Sequence, residues 1–324
     1  MILSLVFIST SIIKARQANY AFDFRTIVQT ALVILPILYG FCIINIFSTN
    51  TIIKLMKFTL IVLICVYFTE KFHTIPQFLN IENWKDINIE NSRSFTESSL
   101  CAESFLQLFL FFYYFNGALD ENKKKKINVG IYQNIAFLFI ILSFKRLGML
   151  IAVLIITIGK VINLKGKINK KVPYLVAVMF CLLTVGYTLF MKGEIFTNLD
   201  VYNITTGRDY ILNLWEEKGY MSYGFGTSML IIGRYLEMDL IQIYLELGFI
   251  PLLIYSISNF SLIRKSLYSC IIITYAFLNM LTASSLPTTL PWAILMVTIS
   301  CCSTEKCKDE KIEVEKKGIE IWKS

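Results

Sequence analysis

Five cationic residues next to apolar stretches stand out chemically: Arg93, Lys145, Arg146, Arg208 and Arg234. A guanidinium is planar and offers paired donors that take two phosphate oxygens at once, so several cations on one surface read as an anion site. The alternative for each is headgroup anchoring or a surface ion pair with Asp209 or Glu237. A second set is Asp239, Gln242 and Glu246, whose spacing of i, i+3 and i+7 puts them on one helix face. A carboxylate well inside an apolar span costs about 2.5–3.5 kcal/mol on insertion scales, so it normally faces a bundle interior or a wet cavity. Glu246 therefore reads either as an interhelical hydrogen bond or as the wall of a polar cavity. Thr205 or Thr206 is placed to cap a helix that begins near Gly207 and carries Tyr210, Leu214 and Trp215. A positive side chain in a first helical turn opposes the helix dipole, which tilts Arg208 toward a ligand contact.

Other chemistry is thinly represented. The single histidine, His73, falls near the exit of an apolar stretch and reads as interfacial. Gly224 and Gly226 make a turn, and a G-x-G pair alone does not define a nucleotide site. The eight cysteines form no C-x-x-C pair and read as small buried hydrophobes. No metal cluster, nucleophile elbow or phosphate-binding loop is visible, so neither metal nor cofactor is expected. No repeat of solenoid length appears either.

The elements that must position these residues are apolar helices. Of 324 residues, 56% are hydrophobic and 17% charged, with net charge +8 and mean hydropathy +0.61. Soluble domains carry about 25% charged residues, so an ordinary cytosolic enzyme is excluded, as are a disordered chain and a disulfide-stapled secreted domain. Stretches near the length a bilayer core requires occupy 27–48, 55–69, 100–119, 127–142, 147–164, 172–191, 240–260, 267–282 and 289–302. Residues 1–13 have no basic leader and no small-residue cleavage site, so they are expected to be a first helix. The fold class is thus all-α, a polytopic integral membrane protein of about ten transmembrane helices with one long extracytoplasmic loop.

Basic loops stay in the cytoplasm. Lys123–Lys126, the Lys165 to Lys171 cluster, Arg264-Lys265 and the tail from Lys306 are separated by pairs of spans, so all four can be cytoplasmic together. The loops left outside are 14–25, 73–99, 143–146, 192–238 and 283–288, the first of which carries Lys14, Arg16 and Arg25 against the rule. Residues 1–304 form the bundle, including extracytoplasmic loops 70–99 and 192–239, and 305–324 form a charged cytoplasmic tail.

In loop order and residues, the chain resembles the bacterial O-antigen/capsular polysaccharide polymerase family (Wzy-type) of the O-antigen ligase-like superfamily. The stretch from Arg93 to Ser99 is similar to its Glu-Pro-Ser-like loop, with Ser98 where proline is usual. Ser143-Phe144-Lys145-Arg146 looks like its short Ser/Arg turn. Thr206-Gly207-Arg208 fits its Gly-Arg start, and Arg208 with Gly219 fits its Arg-x10-Gly spacing. Asp239 to Gly248 reads like its ND-x-x-Q-x-x-x-E-x-G segment. Glu237 stands about where ligases have a histidine and no histidine follows His73, which favours a polymerase. The chain is also shorter than such proteins usually are, so an N-terminal portion is expected to be missing or reduced.

The resemblance implies a GT-C-like glycosyltransferase of the bacterial cytoplasmic (inner) membrane, working on its outer face. Its partners would be undecaprenyl-pyrophosphate-linked oligosaccharide, membrane lipid and a chain-length regulator protein, with no nucleic acid. It would use neither nucleotide-sugar nor metal, and its product would be the polysaccharide of lipopolysaccharide or capsule. Arg208 would hold the donor pyrophosphate, with Arg146 and Arg93 assisting beside Lys145. Arg234 would hold the acceptor, Glu97 or Asp239 would take the acceptor proton, and Tyr210, Trp215 and Tyr223 would stack on sugars. Gln242 and Glu246 would line the cavity. Alternatives are a ligase of finished glycan, a transporter or flippase of the lipid-linked unit, and a membrane protein whose cations only anchor headgroups.

Overall fold

The structure is a computed structural model that describes residues 2–72, 101–118, 128–143, 146–164, 166–195, 205, 207–233, 236, 238–283 and 289–303, without the side chains of 118 and 146. It is all-helical, with no strand among the described residues. The helices are α1 (Ile2–Gln17), α2 (Phe24–Ile46), α3 (Thr49–Lys71), α4 (Ala102–Ala118), α5 (Val129–Leu142), α6 (Arg146–Val161), α7 (Lys171–Met191), α8 (Asp209–Glu217), α9 (Ser228–Ile232), α10 (Asp239–Leu247), α11 (Phe249–Ser261), α12 (Leu267–Thr282) and α13 (Thr289–Ser303). Three of them, α2, α3 and α7, are long and apolar enough to cross a membrane, and five shorter helices are also apolar. Large apolar side chains stand outward on all three, among them Phe41 at 67%, Phe58 at 64% and Leu175 at 71% exposed. Apolar surface of that extent marks a face meant for lipid or a partner.

The chain divides into two compact units, Met1–Leu38 with Lys167–Thr289, and Tyr39–Gly166 with Leu290–Ser324. The second is built on aromatic packing. Tyr67 of α3, Phe105 of α4 and Phe139 of α5 contact one another at ring distances of 5.0 to 6.0 Å. Phe105, Phe109, Phe111, Phe112 and Phe115 of α4 are all fully buried, as expected of a helix that is apolar on every side. Gly40 lets α2 approach α13 closely, since a Cβ there would lie 2.8 Å from the Met296 carbonyl carbon.

The first unit gathers α7, α10, α11 and α12 with α1 and the start of α2. Phe180, Phe260 and Phe277 pack together across α7, α11 and α12, and Phe7 of α1 lies against Tyr255 of α11. At the start of α7, the backbone N–H of Ile168 donates to the Lys265 carbonyl at 2.9 Å and Lys167 bridges to Ser266. Two basic loops expected on one side of a membrane therefore touch. At the other end of α7, Met191 packs with Leu212, Met238 and Ile241 from the 192–238 loop and α10. Twenty-one residues separate the ends, about 30 Å at 1.5 Å per residue, which matches a bilayer core.

Two expectations need correcting. The stretch 240–260 is not one helix but α10 and α11, broken at Gly248, whose φ of 96° and ψ of −177° are open essentially to glycine alone. The helix expected to begin near Gly207 starts at Asp209, with Arg208 itself at the N-cap position and no side-chain cap there. Thr205 still contributes, since its hydroxyl donates to Asp209 Oδ1 at 2.9 Å and accepts from the Asp209 N–H at 3.5 Å.

Candidate functional site

α8 has two faces. Ile211, Leu212 and Trp215 are buried, while Tyr210, Asn213, Glu216 and Glu217 face out. Leu212 fits the cluster with Met191, Met238 and Ile241, and Ile211 and Trp215 pack on Ile231 of α9 and on Leu236. Full burial of one such side chain contributes about 1.5–3 kcal/mol, so α8 is held firmly against the end of α7 and the start of α10. Arg208 is carried there partly buried, its Nη1 donating to the Thr205 carbonyl at 3.4 Å. Tyr187 on α7 feels the charges of both Arg208 and Asp209. A guanidinium on a rigid helix start, half shielded from water, is suited to an anionic oxygen because its charge is weakly screened there.

Among the residues expected to meet sugars, Tyr210 is 54% exposed and presents its ring. Tyr223 stacks on Tyr20 from the α1–α2 connection, with ring centroids 4.4 Å apart and 13° between planes, so one of its faces is already covered. Trp215 is fully buried in the α8–α9 cluster, a packing position rather than an open platform. Nearby, Lys192 lies 3.9 Å above the Tyr220 ring and pairs with Glu194 at 3.7 Å. Burial, the Glu216 carboxylate and Glu194 push the Tyr220 hydroxyl up to about 12. It remains the donor to Glu216 at neutral pH. The stability it adds is complete below its ordinary value near 10 and is lost only as pH rises through about 12.

Asp239, Gln242 and Glu246 do share a face, and all three are buried, at 0%, 7% and 0% exposed. Glu246 is bonded throughout. Its Oε2 accepts from the Gly226 N–H at 2.6 Å and from Gln242 Nε2 at 3.2 Å, and its Oε1 accepts from the Ser228 N–H at 2.8 Å. Its backbone carbonyl accepts from the Ser222 hydroxyl at 2.7 Å. The Glu246 carboxylate thus lines no open cavity; the turn 222–228 closes over it. That turn is gripped from its other side too, where Ser11 Oγ accepts from the Phe225 N–H at 3.1 Å and Thr26 Oγ1 donates to the Phe225 carbonyl at 3.1 Å. Phe7 meets the Phe225 ring edge-on at 5.0 Å. Gly224 and Gly226, with φ of 120° and 79°, let the backbone pass this close.

The turn's role is the part sequence reasoning missed. Its signal lay in the pair of glycines within Tyr223-Gly224-Phe225-Gly226 and in the hydroxyls of Ser11 and Thr26 beside apolar runs. Arg93, Glu97, Lys145 and Arg234 lie outside the described residues, and so does the side chain of Arg146, whose backbone opens α6. Among the described residues, no group of three or more His, Cys, Asp or Glu is placed to hold a metal ion. No protein-family model, curated protein or solved structure matches the chain.

Proposed function

We propose that this chain is a polytopic protein of the bacterial cytoplasmic membrane that polymerises oligosaccharide repeat units on the outer face. The donor is a growing glycan on undecaprenyl pyrophosphate and the acceptor is one lipid-linked repeat unit. The observation that carries this reading is Arg208, partly buried at the head of a helix pinned to the end of α7 opposite the basic loops. In the reaction, the bond from the donor sugar's anomeric carbon to pyrophosphate breaks and a bond to an acceptor hydroxyl oxygen forms. The acceptor proton passes to a carboxylate, Glu97 or Asp239, and undecaprenyl pyrophosphate departs with the electron pair. A diphosphate leaving group needs fixed positive charge where its own negative charge grows, and Arg208 supplies it, with Arg93, Lys145 and Arg146 assisting as the resemblance implies and Arg234 on the acceptor. Of Tyr210, Trp215 and Tyr223, Tyr210 is the most open to a sugar ring.

One observation favours a second reading. Transporters place polar groups at broken helices, and the α10–α11 break at Gly248 is of that kind. Glu246 beside it is closed off by protein donors, however, and offers no route for a solute. The two readings separate in cells that carry Arg208→Glu as their sole copy. A polymerase defect leaves single repeat units, exposed outside and with no ladder of longer glycans. A transport defect leaves units inaccessible from outside, and a ligase defect leaves long polymer on the carrier. An unchanged ladder in Arg208→Glu would overturn the assignment of Arg208.

A further inference from the structure

The turn 222–228 has an unusual set of restraints for a connection between helices. Four of its polar backbone groups, the N–H groups of Phe225, Gly226 and Ser228 and the carbonyl of Phe225, bond to side chains from three different helices, Ser11 of α1, Thr26 of α2 and Glu246 of α10. Buried backbone groups must be paired, and here side chains do what a helix ladder does elsewhere. Glu246 is central to the set because a carboxylate has only acceptors to offer and here meets three donors. From the turn the connection to the candidate site is short. Ser228 is the first residue of α9, Ile231 of α9 packs on Trp215 and Ile211, and these are on α8, whose first turn follows Arg208.

We infer that Glu246 is a positioning residue: its carboxylate fastens the Tyr-Gly-Phe-Gly turn to the bundle and through α9 and α8 fixes where Arg208 stands, without touching substrate. The part concerning activity rests on the polymerase reading above, whereas the fastening itself does not. Glu246→Gln keeps the size but replaces one acceptor oxygen by an NH2 that faces donors. Gly226→Ala loosens the same turn from the opposite side with Glu246 intact, because its φ of 79° disfavours a side chain and a Cβ would collide with Gln29.

The test is amide hydrogen exchange, read by mass spectrometry on peptides covering 220–232 in detergent-solubilised full-length protein, beside in vitro polymerisation with lipid-linked repeat units. Both variants should raise exchange across the turn at least about tenfold while peptides from α7 and α11 stay near wild type. Both should lower kcat/KM, and each combined with Arg208→Lys should lower it by less than the product of the single effects, as coupled sites do. Unchanged exchange in Glu246→Gln would overturn the fastening. Increased exchange with full activity, or strictly multiplicative losses, would overturn the positioning. If wild-type protein forms no polymer, the polymerase reading fails while the exchange result still decides whether Glu246 holds the turn.

Discussion

Trp215 shows how a residue's surroundings decide its use. An exposed tryptophan would suit a sugar face, but here the indole completes a cluster with Ile211, Ile231 and Leu236. Trp215→Ala should therefore destabilise the protein by about 3–5 kcal/mol, seen as a lower thermal midpoint in detergent. Trp215→Phe should cost under about 1.5 kcal/mol and retain a glycan ladder; loss of the ladder with stability preserved would return the ring to a substrate role. At this scale the sequence was informative about which residues are unusual and poor at saying what meets them. The i, i+3, i+7 spacing put Asp239, Gln242 and Glu246 on one face, and they share it. What covers Glu246 arrives from Gly226 and Ser228 in another segment, and helical periodicity carries no information about that.

Apolar helices were the legible part of the chain because a long apolar run bounded by charged residues is itself the signal. The α2, α5, α7, α12 and α13 boundaries fall within a few residues of the apolar stretches that announced them. The break at Gly248 was not legible, since a lone glycine in an apolar run also occurs in unbroken helices. Gly248→Ala should cost about 1–3 kcal/mol through backbone strain alone, because a Cβ there would meet nothing within 4 Å. Gly40→Ala should cost a similar amount for the opposite reason. Its backbone is ordinary, but the new Cβ presses on Met296, so about 1–3 kcal/mol comes from overpacking. Thermal denaturation of the two variants gives the totals.

For the whole molecule, sidedness is the property on which the rest depends. The contact between the Lys167 and Lys265 segments places two lysine-bearing loops together. The Tyr20–Tyr223 stack and the Thr26–Phe225 bond likewise join the first connection to the long loop. If the basic pair is cytoplasmic, Tyr20→Cys should react with a membrane-impermeant maleimide in intact cells, and Lys265→Cys should react only after the cells are opened. Reversed labelling would invert the topology and remove Arg208 from the outer face. Lys14, Arg16 and Arg25 ran against the charge rule when read singly. The packing of their loop against 220–226 is tertiary, and a count of local charges has no access to it.

The two units are interleaved along the chain: the first opens at Met1, yields to the second at Tyr39, resumes at Lys167 and yields again at Leu290. Ser11 cannot reach Phe225, 214 positions later, until the ribosome has made all the intervening polypeptide. During biogenesis α1 and the start of α2 must therefore wait for partners not yet synthesised. A nascent chain stalled at Gly166 would hold residues 39–166 of the second unit but only residues 1–38 of the first, leaving the first the more open to quality-control proteases.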